Sequence, residues 1–124
     1  MSEATYRKVK LDGEEHVLKI DFNAISEIEN YFDRGIFSVV SEETLGFNST
    51  RVFLWAAMLW KNPKLKPQHV GAMIEKDMEE NEDFDLGELM KLSTQVLTES
   101  KAFKLLAKRA EKEQEKESKN EITA

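Results

Sequence analysis

The chain has 124 residues, 34% of them charged, with 24 acidic against 18 basic side chains and a formal net charge of −6. That length supports one compact core without covalent staples, and the absence of cysteine removes disulfides, thiolate nucleophiles and Cys-ligated zinc. The acidity disfavours a duplex-DNA binder, whose affinity rests on clustered Lys and Arg.

The opening Met1-Ser2-Glu3-Ala4-Thr5 lacks a basic region followed by an apolar run, so no signal peptide is expected and the cytoplasm is the expected compartment. Residues 5–10 and 16–21 both show partial period-two alternation. Asp12-Gly13 between them supplies the positive φ of a tight turn, which predicts a β-hairpin over about residues 5–20. From Asp21 the period becomes helical. Phe22, Ile25, Ile28 and Phe32 share a face, with Tyr31 beside them; Asp21 or Asn23 can cap the start and Asp33-Arg34-Gly35 stops the helix. A weaker helical segment follows over about 36–44, broken by Gly46-Phe47-Asn48.

The sequence then reaches its most apolar run, Val52-Phe53-Leu54-Trp55-Ala56-Ala57-Met58-Leu59-Trp60. At helical spacing every face is apolar, and nine residues span only about 13.5 Å, too short for a bilayer. This predicts a core helix over about 50–61 with Ser49 or Thr50 as cap. Asn48-Ser49-Thr50 also matches a glycosylation sequon, a reading without force in the absence of a secretory signal. Asn62-Pro63 ends the helix and Pro67 opens the next, over 67–80, with Val70, Met73, Ile74 and Met78 as its apolar stripe. Asp85 caps a last helix predicted to run unbroken over 85–110, from Leu86 through Phe103 to Ala110. Past Ala110 the stripe ends, so residues 111–124 are expected to fray as a charged tail. The expected fold is therefore α+β, mostly α. A hairpin precedes a bundle of four to five helices in one domain over 1–110.

Few residues could carry chemistry. His16 and His69 sit in no metal spacing, no serine lies in a nucleophile elbow, and no glycine-rich phosphate loop exists. No catalytic site, metal or cofactor is expected. The acidic run holds Glu75, Asp77, Glu79, Glu80, Glu82, Asp83 and Asp85 against the single Lys76. A calcium loop begun at Asp77 fails because Glu82 stands where glycine is needed. A solvated helix end, or a patch for a basic partner segment, accounts for the run. The central helix presents three apolar stripes, while the expected neighbours offer one narrow stripe each. The side carrying Phe53, Met58 and Trp60 is thus expected to be under-covered in the monomer. Trp55, with Met73 and Phe103 from neighbouring helices, completes the candidate partner-binding set.

Three segments carry a family likeness. Ile20-Asp21-Phe22-Asn23-Ala24-Ile25-Ser26-Glu27, after a hairpin, resembles the opening of tail assembly chaperones of long-tailed bacteriophages and prophages. Phe53-Leu54-Trp55-Ala56-Ala57-Met58-Leu59-Trp60-Lys61-Asn62-Pro63 is similar to the family's apolar helix and the polar-Pro end that follows it. It departs from that pattern at Ala57, where glycine is frequent, and at Trp60, where a polar residue or histidine is common. Leu65-Lys66-Pro67-Gln68-His69-Val70-Gly71-Ala72-Met73-Ile74 resembles the helix after it.

The likeness covers about residues 5–105. It implies a small non-enzymatic helical protein that binds the tape measure protein, keeps that aggregation-prone ruler soluble until the tube polymerises, and self-associates. It also implies an encounter with the tail tube protein, a longer frameshifted form in many members, and residence in the host cytoplasm rather than the mature virion; the net charge and the nine-residue length of the apolar run are what speak against a nucleic-acid or membrane partner. Two readings compete with it: a tail completion or connector component whose hairpin augments a neighbour's sheet, and a small acidic regulator that sequesters a basic partner through residues 75–85.

Overall fold

The structure, a computed structural model, describes residues 7–123, with side chains described as far as Glu115. Thr5 and Tyr6 of the expected hairpin, and the N-terminal residues on which the signal-peptide expectation rests, lie outside the described residues. The described elements are a two-stranded antiparallel sheet and six helices.

Strands β1 (Arg7–Leu11) and β2 (Glu14–Leu18) pair with Leu11 opposite Glu14 and Val9 opposite His16. The turn is the two-residue Asp12-Gly13 loop, with φ of 53° and 77°, the left-handed pair that lets a hairpin keep its right-handed twist. Leu11 and Leu18 are fully buried, so one face of the hairpin joins the core. Lys19 N–H then donates to the Ala57 carbonyl at 2.9 Å, which satisfies an orphan carbonyl in the last turn of the central helix.

Helix α1 (Phe22–Phe32) starts where Asp21 accepts from Ala24 N–H at 2.9 Å and stops with Asp33 in the left-handed region, φ 57°. Helix α2 (Ile36–Glu42) is short and buries Ile36 and Val39. Arg34 clamps it by pairing with Glu42 and, at 2.8 Å, Glu43.

The central helix α3 covers Phe47–Met58, three residues earlier at each end than the sequence predicts. Its start is set by Gly46: Ser49 Oγ accepts from Gly46 N–H, and the Thr50 hydroxyl donates to Gly46 C=O. Gly46-Phe47-Asn48 therefore begins the helix instead of separating it from what precedes. Leu59 and Trp60 fall in the turn beyond it. Val52 through Met58 are all buried, with Phe53, Leu54 and Ala57 at 1% exposure or less. Helices α1, α4 and α5 and strand β2 pack around it.

Helix α4 (Pro67–Glu80) has its proline at the first turn, and His69 Nδ1 accepts from Lys66 N–H at 3.0 Å. Only Val70 and Ile74 of its predicted stripe are buried; Met73 is half-buried and Met78 exposed. The predicted 85–110 helix is two helices. Asp85 caps α5 (Leu86–Thr98) by accepting from Glu88 N–H, and Ser100 caps α6 (Lys101–Thr123) by accepting from Phe103 N–H at 3.1 Å. The apolar spacing survives the break because both sides bury their stripes in the same core. The backbone of α6 stays helical to Thr123 where fraying past Ala110 is expected. Residues 111–117, Glu-Lys-Glu-Gln-Glu-Lys-Glu, are all strong helix formers, and they carry the helix after apolar contact ends.

Candidate partner-binding surface

The surface has to be built from what the core leaves over, and that differs from the sequence expectation. Phe53, Met58 and Trp55 are 1%, 4% and 9% exposed, so of the proposed under-covered side only Trp60 reaches the surface, at 40%. The expectation fails because the neighbours cover more of the central helix than one narrow stripe each. The hairpin, α2 and two separate C-terminal helices add buried Leu11, Leu18, Val39, Leu97 and Ala102 to one continuous core. The predicted set is not brought together as one patch: Met73 is half-buried on α4, and Phe103 lies half-buried on α6, edge-on to Phe37 at 5.6 Å between ring centres.

Trp55 and Trp60 do meet at an open groove of about 320 Å³ between the start of α1 and the turn after α3. Leu59, Trp60, Pro63 and Leu65 supply its apolar wall, and Asp21 and Glu27 stand on the α1 side. Each indole donates a hydrogen bond to a backbone carbonyl. Trp55 Nε1 donates to Leu65 C=O at 2.7 Å and Trp60 Nε1 to Val17 C=O at 3.0 Å. The first bond fixes the loop before α4 to the core, and the second ties the groove to the hairpin. Lys19 Nζ lies 5.5 Å from the Trp60 ring centre, within reach of the cation–π attraction. A groove with a fixed aromatic wall and a carboxylate rim can take an apolar side chain with a basic residue beside it.

A second groove, about 590 Å³, runs between α3 and α4 and is lined by Phe47, Arg51, Gly71, Glu75, Met78 and Glu79 among others. Arg51 is oriented there by donating to Asn48 Oδ1 and to the Tyr31 hydroxyl, both at 2.9 Å.

The acidic run does not form one uniform patch. Glu75, Glu79, Glu80, Glu82 and Asp83 are exposed, but Asp77 turns to the hairpin and accepts from Asp12 N–H at 3.0 Å. Lys76 pairs with Asp12 at 3.1 Å. That hydrogen-bonded ion pair, with Glu80 adding to it, raises the Lys76 pKa above its ordinary 10.5. Among the described residues no group of three or more His, Asp or Glu is placed to hold a metal, and no helix is long and apolar enough to cross a membrane.

Sequence reasoning missed several participants. Phe22, Phe37, Leu45, Phe47 and Leu105 are 44–57% exposed, although periodicity alone assigns Phe22 to a core face. The signal available for Phe47 and Leu45 was their position beside Gly46, at a helix start where side chains overhang the core. Comparisons with protein-family models, with curated proteins and with solved structures find no match to this chain.

Proposed function

We propose that the protein is a non-catalytic tail assembly chaperone that binds the tape measure protein of a long-tailed phage and keeps it soluble in the host cytoplasm until the tube forms. The observation that carries the reading is the open groove in which Trp60, Leu59, Pro63 and Leu65 face Asp21 and Glu27. It lies where the three family-like segments meet, the Asp21–Glu27 opening of α1, the aromatic helix with its polar-Pro end, and Leu65 at the start of the third. A holdase needs exposed apolar contact without hydrolysis, and a shallow groove gives a weak contact that many copies along one long helical chain add into avidity. The net charge of −6 favours the solubility of such an assembly.

The test is co-expression with a long tape measure candidate from the genome that encodes this chain. The expected result is that the tape measure moves from the pellet to the soluble fraction and co-purifies. Trp60→Ala and Glu27→Lys proteins that retain the wild-type circular dichroism should each return part of it to the pellet. A tape measure that stays insoluble with the wild-type protein overturns the reading. Finding the chain in purified virions would favour a structural tail component instead.

A further inference from the structure

The aromatic wall of the Trp60 groove has no side-chain donor left to offer a guest. Trp55 Nε1 is engaged by Leu65 C=O and Trp60 Nε1 by Val17 C=O, so the two indoles present carbon and π surface alone. The α1 wall is its converse. Asn23 and Glu27 stand one turn apart there, both exposed, with the small, buried Ala24 leaving space at the base. The charged residues that line the groove are Asp21 and Glu27, both acidic; Lys19, Lys61 and Lys64 lie close in sequence but line none of it.

Position along α1 separates the two acids. Asp21 caps the helix by accepting from Ala24 N–H, and the positive pole of the helix dipole at that end works against a bound cation. Glu27 is the sixth residue of α1, beyond that first turn, and among the described residues its carboxylate pairs with no cation. A π surface facing a carboxylate selects a cation, and a flat one above all. An ammonium is a strongly hydrated point charge, and lodging it against two indoles strips water that one carboxylate and one amide do not replace. A guanidinium is planar and more weakly hydrated. It stacks on an indole while its N–H fork points past the ring edge to a carboxylate.

We infer that the groove is a site for an arginine side chain of the partner. The guanidinium stacks on the Trp60 indole and donates to Glu27 and the Asn23 side-chain carbonyl, and the methylene stem runs along Leu59 and Leu65. That the arginine belongs to the tape measure protein rests on the proposed function, whereas the preference of the groove for a guanidinium does not.

The chain has two tryptophans, so its nitrogen–proton NMR spectrum carries two indole signals, and a Trp60→Phe protein assigns them. The full chain is titrated with capped, alanine-rich helical peptides that carry one leucine and, a turn away, arginine, lysine or citrulline. Citrulline has the shape of arginine without its charge. The arginine peptide should shift the Trp60 signal saturably in the low millimolar range, the lysine peptide should bind at least about threefold more weakly, and the citrulline peptide about tenfold more weakly. Glu27→Gln should lower arginine binding to the citrulline level while its indole signals without peptide stay at the wild-type positions. The inference is overturned by a lysine or citrulline peptide that binds as tightly as the arginine one, by Glu27→Gln binding arginine like wild type, or by no Trp60 shift up to about 5 mM arginine peptide. A tape measure that still co-purifies after such a result leaves the chaperone reading standing. An arginine-selective groove in a protein that leaves the tape measure insoluble removes the chaperone reading alone.

Discussion

Helices α3 and α6 invite comparison because each dominates one half of the chain and they spend their side chains in opposite ways. In α3 every residue from Ser49 to Met58 is buried except Arg51, and neighbours close on all sides of it. In α6 only a narrow stripe around Ala102, Phe103 and Leu106 meets the body, while the exposed positions, Leu105 apart, are charged or polar as far as the side chains are described. The difference separates composition from contact. A helix apolar on every face is where a small chain concentrates its own core, and material for partners stands on the elements that overhang that core.

The largest expected effect tests that contrast directly. Phe53→Ala should cost about 3–5 kcal/mol in urea unfolding, the range for emptying an aromatic site in a packed core, and Leu105→Ala should stay within about 0.5 kcal/mol. Comparable losses at the two sites would break the comparison. A middle effect sharpens it at the helix ends. Asp21→Ala and Asp85→Ala, which remove the side chains accepting from Ala24 and Glu88 N–H, should each cost about 1 kcal/mol, and Asp21→Asn should recover most of the loss.

The smallest effect concerns the exposed pair between α4 and the hairpin turn. The Lys76 pKa is raised by Asp12, so its stabilising contribution is complete below 10.5 and is lost as pH climbs through the raised value. Comparing urea midpoints at about pH 9 and about pH 11.5, wild type should lose slightly more than Asp12→Asn, which lacks the charge. Equal losses would show that the pair contributes nothing, as many exposed ion pairs do.

Much of this architecture was legible in the sequence. Asp12-Gly13 gives the hairpin register, and Asp21, Pro67 and Asp85 set three helix starts at or next to where the sequence places them. Local chemistry of this kind acts within one turn of helix or strand and needs no tertiary information. The break at Ser100 was hidden because its hydroxyl can satisfy a helix interior or cap a new start, and only packing decides between them. The burial of Phe53 and Met58 was hidden for a related reason: coverage depends on how many elements converge on α3, which periodicity within one segment does not report. His69 was legible only as a helix residue, yet it accepts from Lys66 N–H at the start of α4. Of the candidate site, Trp60 is exposed as expected, but the residues opposite it, Asp21 and Glu27, come from a helix more than thirty positions away in sequence.

The aromatic helix is core, and on the proposed function the contact face is the turn after it together with the start of α1. Hydrogen–deuterium exchange on the free protein and on the co-purified tape measure complex tests this most directly. Amides of Val52–Met58 should already be among the slowest in the free protein and should change little on binding, while residues 21–27 and 59–65 should slow by about tenfold or more, the signature of a covered surface. Rapid exchange along α3 in the free protein, or new protection confined to residues 75–85, would contradict the account.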